Sequence, residues 1–320
     1  MDSTPWFVGG GAQHSPEVAR AVAYAATGGA EGVVEPGGLK VAPLAVPGTS
    51  VRVVAGSGIL RNRYAGGGEQ SYIVRAPVTE NLAVTATGSA GGRSDLVVAR
   101  VLDPQYEGSA PSNPVAFEYA RLAIIQGVPA STTRASDLNL GYPAIELARI
   151  DLPASTGTVT AAMIKDLRRL ARPRSLRVVE MGGPTQDIAL TSPGGVRWPS
   201  VAPSIEIPAW ATHMSVVATI ASVGYQNGSV AGTLATCAGA AGANQWRSSN
   251  TYYDLDVAPA DSARTTLVVG GKGPIPAALR GSVQTFAIEG QRNAYTGAGA
   301  LVTRAGTHVV FDVQFSEQIL

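Results

Sequence analysis

Short runs of β-branched and apolar residues, separated by glycine and proline, recur along most of this chain. The 320 residues include 38 glycines and 21 prolines, which favour many turns over long helices. Val51 with Val53, and Val84 with Thr85 and Thr87, show the near-alternation that is typical of strands. Short strands with no helices between them favour an antiparallel sandwich or barrel.

The predicted strands form two groups, with a stretch rich in Gly, Pro, Ser and Thr between them. The strands are Leu39–Val46, Ser50–Val54, Gln70–Ala76, Leu82–Thr87, Asp95–Leu102, Ala116–Ile125, Ile145–Ile150, Ser204–Ile207, Met214–Val223, Ser229–Ala235, Thr265–Val269, Ser282–Ile288 and His308–Val313. We predict a mainly β protein of two antiparallel β-sandwich domains, joined by a short helix and an extended Gly/Pro-rich linker. The predicted divisions are an arm with one helix (1–37), a β-domain ending in a short helix (38–175), a linker (176–204) and a C-terminal β-sandwich (205–320). Residues 103–114 are predicted to be a long polar loop.

Two segments have helical periodicity instead. Ser15 is a suitable N-cap, Pro16 suits the first helical position, and Gly28 can close the element, which predicts a helix over Pro16–Ala26. The second predicted helix covers Ala161–Arg172 and ends before Pro173.

The second helix carries a narrow apolar stripe. The residues of that stripe are Met163, Ile164, Leu167 and Leu170. A helix of roughly 12 residues is marginal in water by itself, so something must cover the stripe. It packs either on the β-domain of its own chain or on copies of itself around a symmetry axis. We predict that these four residues lie at an oligomer contact.

Charge gives no general signal for a nucleic-acid partner. The net charge is +1 and charged residues make up only 15% of the chain, which suits a chain that buries much of itself in an assembly. One basic cluster comprises Lys165, Arg168, Arg169, Arg172, Arg174 and Arg177. It is either a phosphate clamp or, more commonly for such runs, a solvated or partner-binding face. No apolar run is long enough to span a membrane, so we expect no membrane insertion.

The motifs of common enzymes are incomplete. Glycine-rich stretches at 55–58, 87–91 and 270–273 lack the residues or the context of a nucleophile elbow or a phosphate loop. His14, His213 and His308 are widely spaced, so no zinc site is expected. Cys237 is the single cysteine and is expected to be a buried neutral thiol. We predict no catalytic residues, no metal and no cofactor.

One aromatic and acidic cluster is a candidate binding site. Its members are Trp246, Tyr252, Tyr253, Asp254 and Asp256. Aromatic faces stack on sugar C–H groups while carboxylates accept hydrogen bonds from hydroxyls, which is typical of shallow saccharide sites. Two alternatives stay open: one aromatic residue packs in the core and the others lie on a loop or interface, or the two aspartates hold calcium.

Several segments resemble the N-terminal, virion-binding β-domain of minor tail or baseplate proteins of siphophages that infect actinobacteria. They are GGLKVAPLAVPGTSVRVVAGSGIL (37–60), GGRSDLVVARVLDP (91–104) and YPAIELARIDLPASTGTVTAAMIKDLRRLARPR (142–174). The segment IPAWATHMSVVATIASV (207–223) is similar to the start of C-terminal sandwich domains in such proteins, domains that are often linked to host-surface binding. The resemblance covers residues 1 to about 175 and implies no catalytic residues.

The resemblance implies a non-enzymatic component of a phage tail tip or baseplate, located in the virion and synthesised in the bacterial cytoplasm. We expect a homo-oligomer, with a trimer about the tail axis as the favoured form, and other tail proteins as partners. A carbohydrate-binding adhesin for host cell-wall glycan is one alternative. A polysaccharide depolymerase is another, and it would need a pair of carboxylates about 5 to 10 Å apart.

Overall fold

The computed structural model describes residues 15–294 and 298–319, and the chain divides into two compact units. Unit 1 comprises Met1–Arg172 and Ile319–Leu320, and unit 2 comprises Pro173–Gln318. Both units are built from antiparallel strands, which confirms the predicted β-sandwich class.

Unit 1 contains one α-helix and ten strands in its described part. They are α1 (Pro16–Thr27), β1 (Gly32–Val33), β2 (Val41–Pro43), β3 (Ser50–Val53), β4 (Gly56–Arg61), β5 (Ser71–Ala76), β6 (Glu80–Ala83), β7 (Arg93–Val101), β8 (Ala120–Val128), β9 (Ala144–Leu152) and β10 (Ile164–Asp166). The strands form three sheets, in the orders β1-β4-β5, β2-β3-β6 and β10-β9-β7-β8. Residues 103–114 carry no strand, as expected for the loop.

The central strand β7 is buried on both faces. Val97, Ala99 and Val101 belong to the larger core cluster of unit 1. Leu96 and Val98 point the other way and belong to a smaller cluster, since successive side chains of a strand alternate between faces. This double burial explains why β7 reads as a nearly continuous apolar run.

Helix α1 confirms the prediction for residues 16–26. The Ser15 hydroxyl accepts a hydrogen bond from the Val18 backbone N–H at 3.1 Å. Gly28 ends the helix with φ +63°, a left-handed conformation that favours glycine.

The helix predicted for Ala161–Arg172 is wrong. Ala161–Met163 form one 3₁₀ turn, and Ile164–Asp166 then pair with β9 as the edge strand β10. Further along, the backbone at Leu170 forms a parallel bridge with Val33. An open sheet edge offers these residues backbone partners and burial together, and an isolated short helix is too unstable to compete.

The four residues of the predicted helical stripe are therefore divided between two cores. Met163, Ile164 and Leu170 pack against the larger cluster of unit 1, and Leu167 packs against the smaller one. All four are half-buried within their own unit. A shared helical stripe around a symmetry axis is excluded by this arrangement.

Unit 2 contains twelve strands in its described part. They are β11 (Ser175–Gly182), β12 (Ile188–Leu190), β13 (Val196–Arg197), β14 (Ser204–Ile207), β15 (His213–Gln226), β16 (Val230–Ala238), β17 (Trp246–Arg247), β18 (Thr251–Leu255), β19 (Ser262–Pro274), β20 (Ser282–Arg292), β21 (Ala300–Thr303) and β22 (His308–Ser316). One sheet has the order β11-β22-β15-β21-β12, with β19 also on β15. The other has the order β13-β20-β16-β17, with β14 on β20 and β18 on β16.

The two sheets of unit 2 enclose one core. Phe286 of β20 and Phe315 of β22 meet edge to face between the sheets, with ring centroids 6.5 Å apart, and both are fully buried. Met214, Val216 and Ala218 of β15 point into the same core. This packing defines a sandwich.

The predicted linker over 176–204 is not a connector. Residues 175–182 form strand β11, which pairs with β22 along its whole length, and Trp198 is buried in the core of unit 2. Most side chains of β11 are exposed, and the strand lies at a sheet edge. The sequence pattern therefore lacked the apolar face by which strands are recognised.

Candidate functional site

A groove of about 570 Å³ lies on the outer face of the second sheet of unit 2. Three of the five residues predicted for a saccharide site, Tyr252, Tyr253 and Asp254, line this groove. The other lining residues are Pro193, Ala231, Gly232, Thr233, Asn250, Gln291, Asn293 and Ala294.

Strand register explains how these residues converge. Strand β16 lies between β18 and β20, so Thr233 faces Tyr252 on one side and Gln291 on the other. Residues directly opposite each other in a sheet share a face. Tyr252 is 82% exposed, and its ring is free to act as a platform above this row. One row further along β18, Asp254 lies opposite Ala231 and is also exposed.

Tyr253 has a different role, because its side chain is buried in the sandwich core. Gly232 lies directly opposite Tyr253 in the ladder, and the Tyr253 hydroxyl donates to the Gln291 carbonyl at 3.3 Å. A Cβ on Gly232 would lie 2.0 Å from that carbonyl and 2.5 Å from the Tyr253 hydroxyl. The absence of a Cβ at Gly232 therefore leaves space for the Tyr253 side chain, and the hydrogen bond of Tyr253 joins β18 to β20 beneath the groove. Burial raises the pKa of Tyr253 to about 12, so it stays neutral at neutral pH.

The amide side chains at the groove are oriented by neighbours. Arg247 donates to the Asn250 Oδ1 at 2.9 Å, and the Gln291 amide N–H donates to the Pro193 carbonyl at 2.5 Å. The Asn250 amide therefore keeps its N–H groups for a ligand, and Gln291 keeps its oxygen.

An ion pair next to the groove holds Arg247 in place. Arg247 Nε lies 2.6 Å from a carboxylate oxygen of Glu289, and Gln245 donates to the same carboxylate at 3.0 Å. Burial alone would raise the pKa of Glu289, but the hydrogen bonds from Arg247 and Gln245 outweigh it and lower that pKa below its usual value. Glu289 is therefore ionised and paired at neutral pH.

Trp246 and Asp256, the other two members of the predicted site, do not line the groove. Trp246 is 5% exposed and belongs to the core of unit 2, and Asp256 accepts a hydrogen bond from Ser229 at 2.8 Å. Trp246 and Tyr253 are both buried, so two aromatic residues pack in the core instead of the one in the alternative, and Tyr252 alone is an exposed platform.

The basic cluster predicted around Arg168 does not form one cationic face. Its members contact different acids or backbone carbonyls: Lys165 with Asp151, Arg168 with Asp166, Arg169 with Glu146, Arg172 with the Ala26 carbonyl, Arg174 with Glu317 and Arg177 with Asp312. The phosphate clamp has no support in this geometry.

Sequence reasoning missed a polar network in unit 1. The guanidinium of Arg20, on α1, donates to Gln70 at 2.6 Å, Gln105 at 2.8 Å and Asp103 at 3.1 Å. Tyr72 donates to the same Asp103 carboxylate at 2.8 Å. Arg20 is only 9% exposed, so the network fixes α1 to the strands and to the long loop. An arginine on an otherwise shallow apolar helix face was the only available signal.

Cys237 is a buried free thiol, as predicted, and burial raises its pKa to about 11. Within residues 15–294 and 298–319, no group of three or more His, Cys, Asp and Glu side chains is placed to hold a metal ion. His213 and His308 lie on separate strands, and His14 lies outside the described residues. In the same ranges, no helix has the length and apolar character needed to cross a membrane.

The fold and the groove define a mainly β protein of two units with a candidate saccharide-binding site. No family model matches the chain, and no curated protein matches it.

The solved structures that match include viral capsid proteins of infectious bursal disease virus. The Gx strain structure is 13% identical and covers 91% of this chain and 73% of its own, with a TM-score of 0.23. The VP2 subviral particle is 11% identical and covers 91% of this chain and 72% of its own, with a TM-score of 0.24. At these TM-scores the likeness carries no functional argument.

Proposed function

We propose that this chain is a non-enzymatic structural protein of a phage tail tip or baseplate. Unit 1 attaches to the tail, and unit 2 presents its β-sandwich toward the host surface. The observation that carries the proposal is the convergence of the three segments that resemble minor tail proteins.

Those segments are far apart in sequence but build one core. Residues 37–60 provide β2, β3 and most of β4, residues 91–104 provide β7, and residues 142–174 provide β9 and β10. Leu60, Val97 and Leu147, one from each segment, are fully buried in the same cluster. The resemblance therefore coincides with one compact unit, which supports a common attachment module.

Immunogold electron microscopy of the native particles tests the location. An antibody against unit 2 is expected to label the distal end of the tail, with an antibody against the major capsid protein as the control that labels the head. Label on the head, or absence of the chain from purified particles, would contradict the proposal.

The second candidate function is recognition of host cell-wall glycan by unit 2. The groove supports it because an exposed aromatic ring, a carboxylate and two oriented amides line it. Shallow sites of this composition suit saccharides. Replacing Tyr252 with alanine is expected to weaken adsorption of the protein to host cell walls while unit 2 stays folded. Unchanged adsorption would count against it.

The groove supports binding over hydrolysis. Asp254 is the one carboxylate among its described lining residues, whereas glycoside hydrolysis commonly uses a pair of them. Glu289 lies beside the groove but is engaged by Arg247 and Gln245. We expect no release of reducing sugar from cell-wall polysaccharide, which a reducing-end assay would check.

We also propose that the chain is a homo-oligomer, with a trimer as the form that matches the axis of a tail. Light scattering of the full chain should then give three times the 32.7 kDa chain mass. A monomer at micromolar concentration would contradict this part of the proposal.

A further inference from the structure

The charge carried by the described lining residues of the groove is negative. Among the described lining residues, Asp254 is the only carboxylate, and no lysine, arginine or histidine is present. Within the described chain, the Asp254 side chain makes no hydrogen bond or ion pair with protein groups and is exposed. The nearby cation of Arg247 is neutralised by Glu289 at 2.6 Å. The described lining residues therefore carry one negative charge, that of Asp254, and no positive charge.

The uncharged groups of the groove also favour a sugar as the ligand. Gln291 keeps a carbonyl oxygen for a ligand, because its N–H is held by Pro193. Together with the Asp254 carboxylate, it offers acceptors that suit the hydroxyl groups of a sugar. Asn250 offers N–H donors, because its oxygen is held by Arg247, and these suit a ring or hydroxyl oxygen. Two acceptors and one donor beside an aromatic face match a polyol.

We propose that the groove selects uncharged glycans with adjacent hydroxyl groups and rejects acidic ones, with Asp254 as the residue that sets this specificity. The inference rests on the saccharide-binding function proposed above. A carboxylate accepts hydrogen bonds from two hydroxyls of a neutral sugar, but it repels the carboxylate of a uronic acid at the same position. Tyr252 supplies the stacking surface for either kind of ring.

Matched ligand pairs make this inference testable. The probes are oligomers of glucose, mannose and galactose, each paired with an oligomer of its uronic acid of the same length and linkage. Isothermal titration of the full chain should show at least one neutral oligomer binding about tenfold more tightly than its acidic partner, as expected for one like-charge contact near a protein surface. Raising the salt concentration should reduce that ratio, because exposed charges are screened.

Two variants separate the contribution of the Asp254 charge from that of the Tyr252 ring. Asp254→Asn keeps the shape of the side chain and removes the charge, so the neutral-to-acidic ratio should fall toward one. Tyr252→Ala should weaken both members of a pair by about tenfold and leave the ratio unchanged. Asp187→Asn is the matched control, since Asp187 is an exposed carboxylate of unit 2 outside the groove.

The outcomes distinguish failure of the proposed specificity from failure of saccharide binding itself. An acidic oligomer that binds as tightly as its neutral partner, or a ratio that Asp254→Asn leaves unchanged, would overturn the specificity and leave saccharide binding in place. Binding of none of the six oligomers would overturn the saccharide-binding function, and this inference with it.

Discussion

The side chain of Arg168 has no exposed surface although it carries a charge. Its guanidinium pairs with Asp166 at 2.7 Å and donates to the backbone carbonyls of Pro36 at 3.0 Å and Gly38 at 2.6 Å. A buried charge is tolerated when it is paired and its hydrogen bonds are satisfied. Arg168 thus holds the segment before β2 against the end of unit 1.

Replacing Arg168 with methionine should therefore destabilise unit 1. The change leaves two buried carbonyls without a donor and Asp166 without its partner, and we expect a loss of about 3 kcal/mol in the free energy of unfolding. Urea unfolding would measure it. Arg52→Met is the control, because Arg52 is exposed on β3, and a similar loss in both variants would contradict the role of Arg168.

Gly232→Ala tests the packing beneath the groove. The added methyl group would lie 2.0 Å from the Gln291 carbonyl, so Tyr253 or strand β20 must shift, at a cost of about 2 kcal/mol for overpacking. Thermal unfolding followed by tryptophan fluorescence is suitable, because three of the four tryptophans, Trp198, Trp210 and Trp246, belong to unit 2. Gly194→Ala should be nearly neutral, since its nearest neighbour would be 3.8 Å away.

At the scale of single elements, α1 was predictable and β10 was not, for a physical reason. The signals for α1 are local: a serine cap, a proline in the first turn and a glycine at the end. The conformation of Ile164–Asp166 depends on pairing with β9, more than ten residues away in sequence. Leu167 and Leu170 follow the helical period by coincidence and find their partners through tertiary contacts.

The candidate site was predictable only in part, for the same reason. Tyr252, Tyr253 and Asp254 are adjacent in sequence, so their proximity was predictable. Asn250, Gln291 and Pro193 join them only through the order β18-β16-β20, which sequence patterns do not reveal. Gly56–Arg61 show the converse: they form β4, but no strand was predicted there, because glycines inside a strand resemble a loop.

Leu167→Asp gives a prediction for the segment after β10. Leu167 packs against the smaller core cluster of unit 1, so a carboxylate there should destabilise the unit by about 2 kcal/mol. Differential scanning calorimetry would show a lower melting temperature, while light scattering of the folded protein should show an unchanged mass. Leu176→Asp is the control, since Leu176 is 43% exposed on β11. Dissociation without loss of stability would contradict the packing within unit 1.

For the whole molecule, both units should lose stability in acid. In unit 1, the hydrogen bond from Arg149 is the main cause that lowers the pKa of Asp151 far below its usual value, with Lys165 and Ser94 adding to it. In unit 2, the hydrogen bond from Arg177 lowers the pKa of Asp312. A carboxyl group with a lowered pKa in the folded state contributes stability above its unfolded pKa of about 4, and this is lost as the pH falls toward the folded value.

Variants should separate the acid sensitivity of the two units. Asp151→Asn should flatten the pH dependence below about pH 4 for unit 1 alone, and Asp312→Asn should do so for unit 2 alone. Hydrogen exchange with mass spectrometry follows both units in one sample. An equal effect of Asp151→Asn on both units would contradict independent cores.

The ends of unit 2 lie side by side. Ser175, at the beginning of β11, pairs with Ser316, at the end of β22, and Arg174 is clamped to Glu317 by an ion pair of 2.5 Å. Ile319 then packs against the core of unit 1. Unit 2 is thus inserted into the chain of unit 1 through two adjacent strands. Unit 2 is therefore replaceable: another sandwich whose first and last strands are neighbours could take its place while the core of unit 1 stays the same.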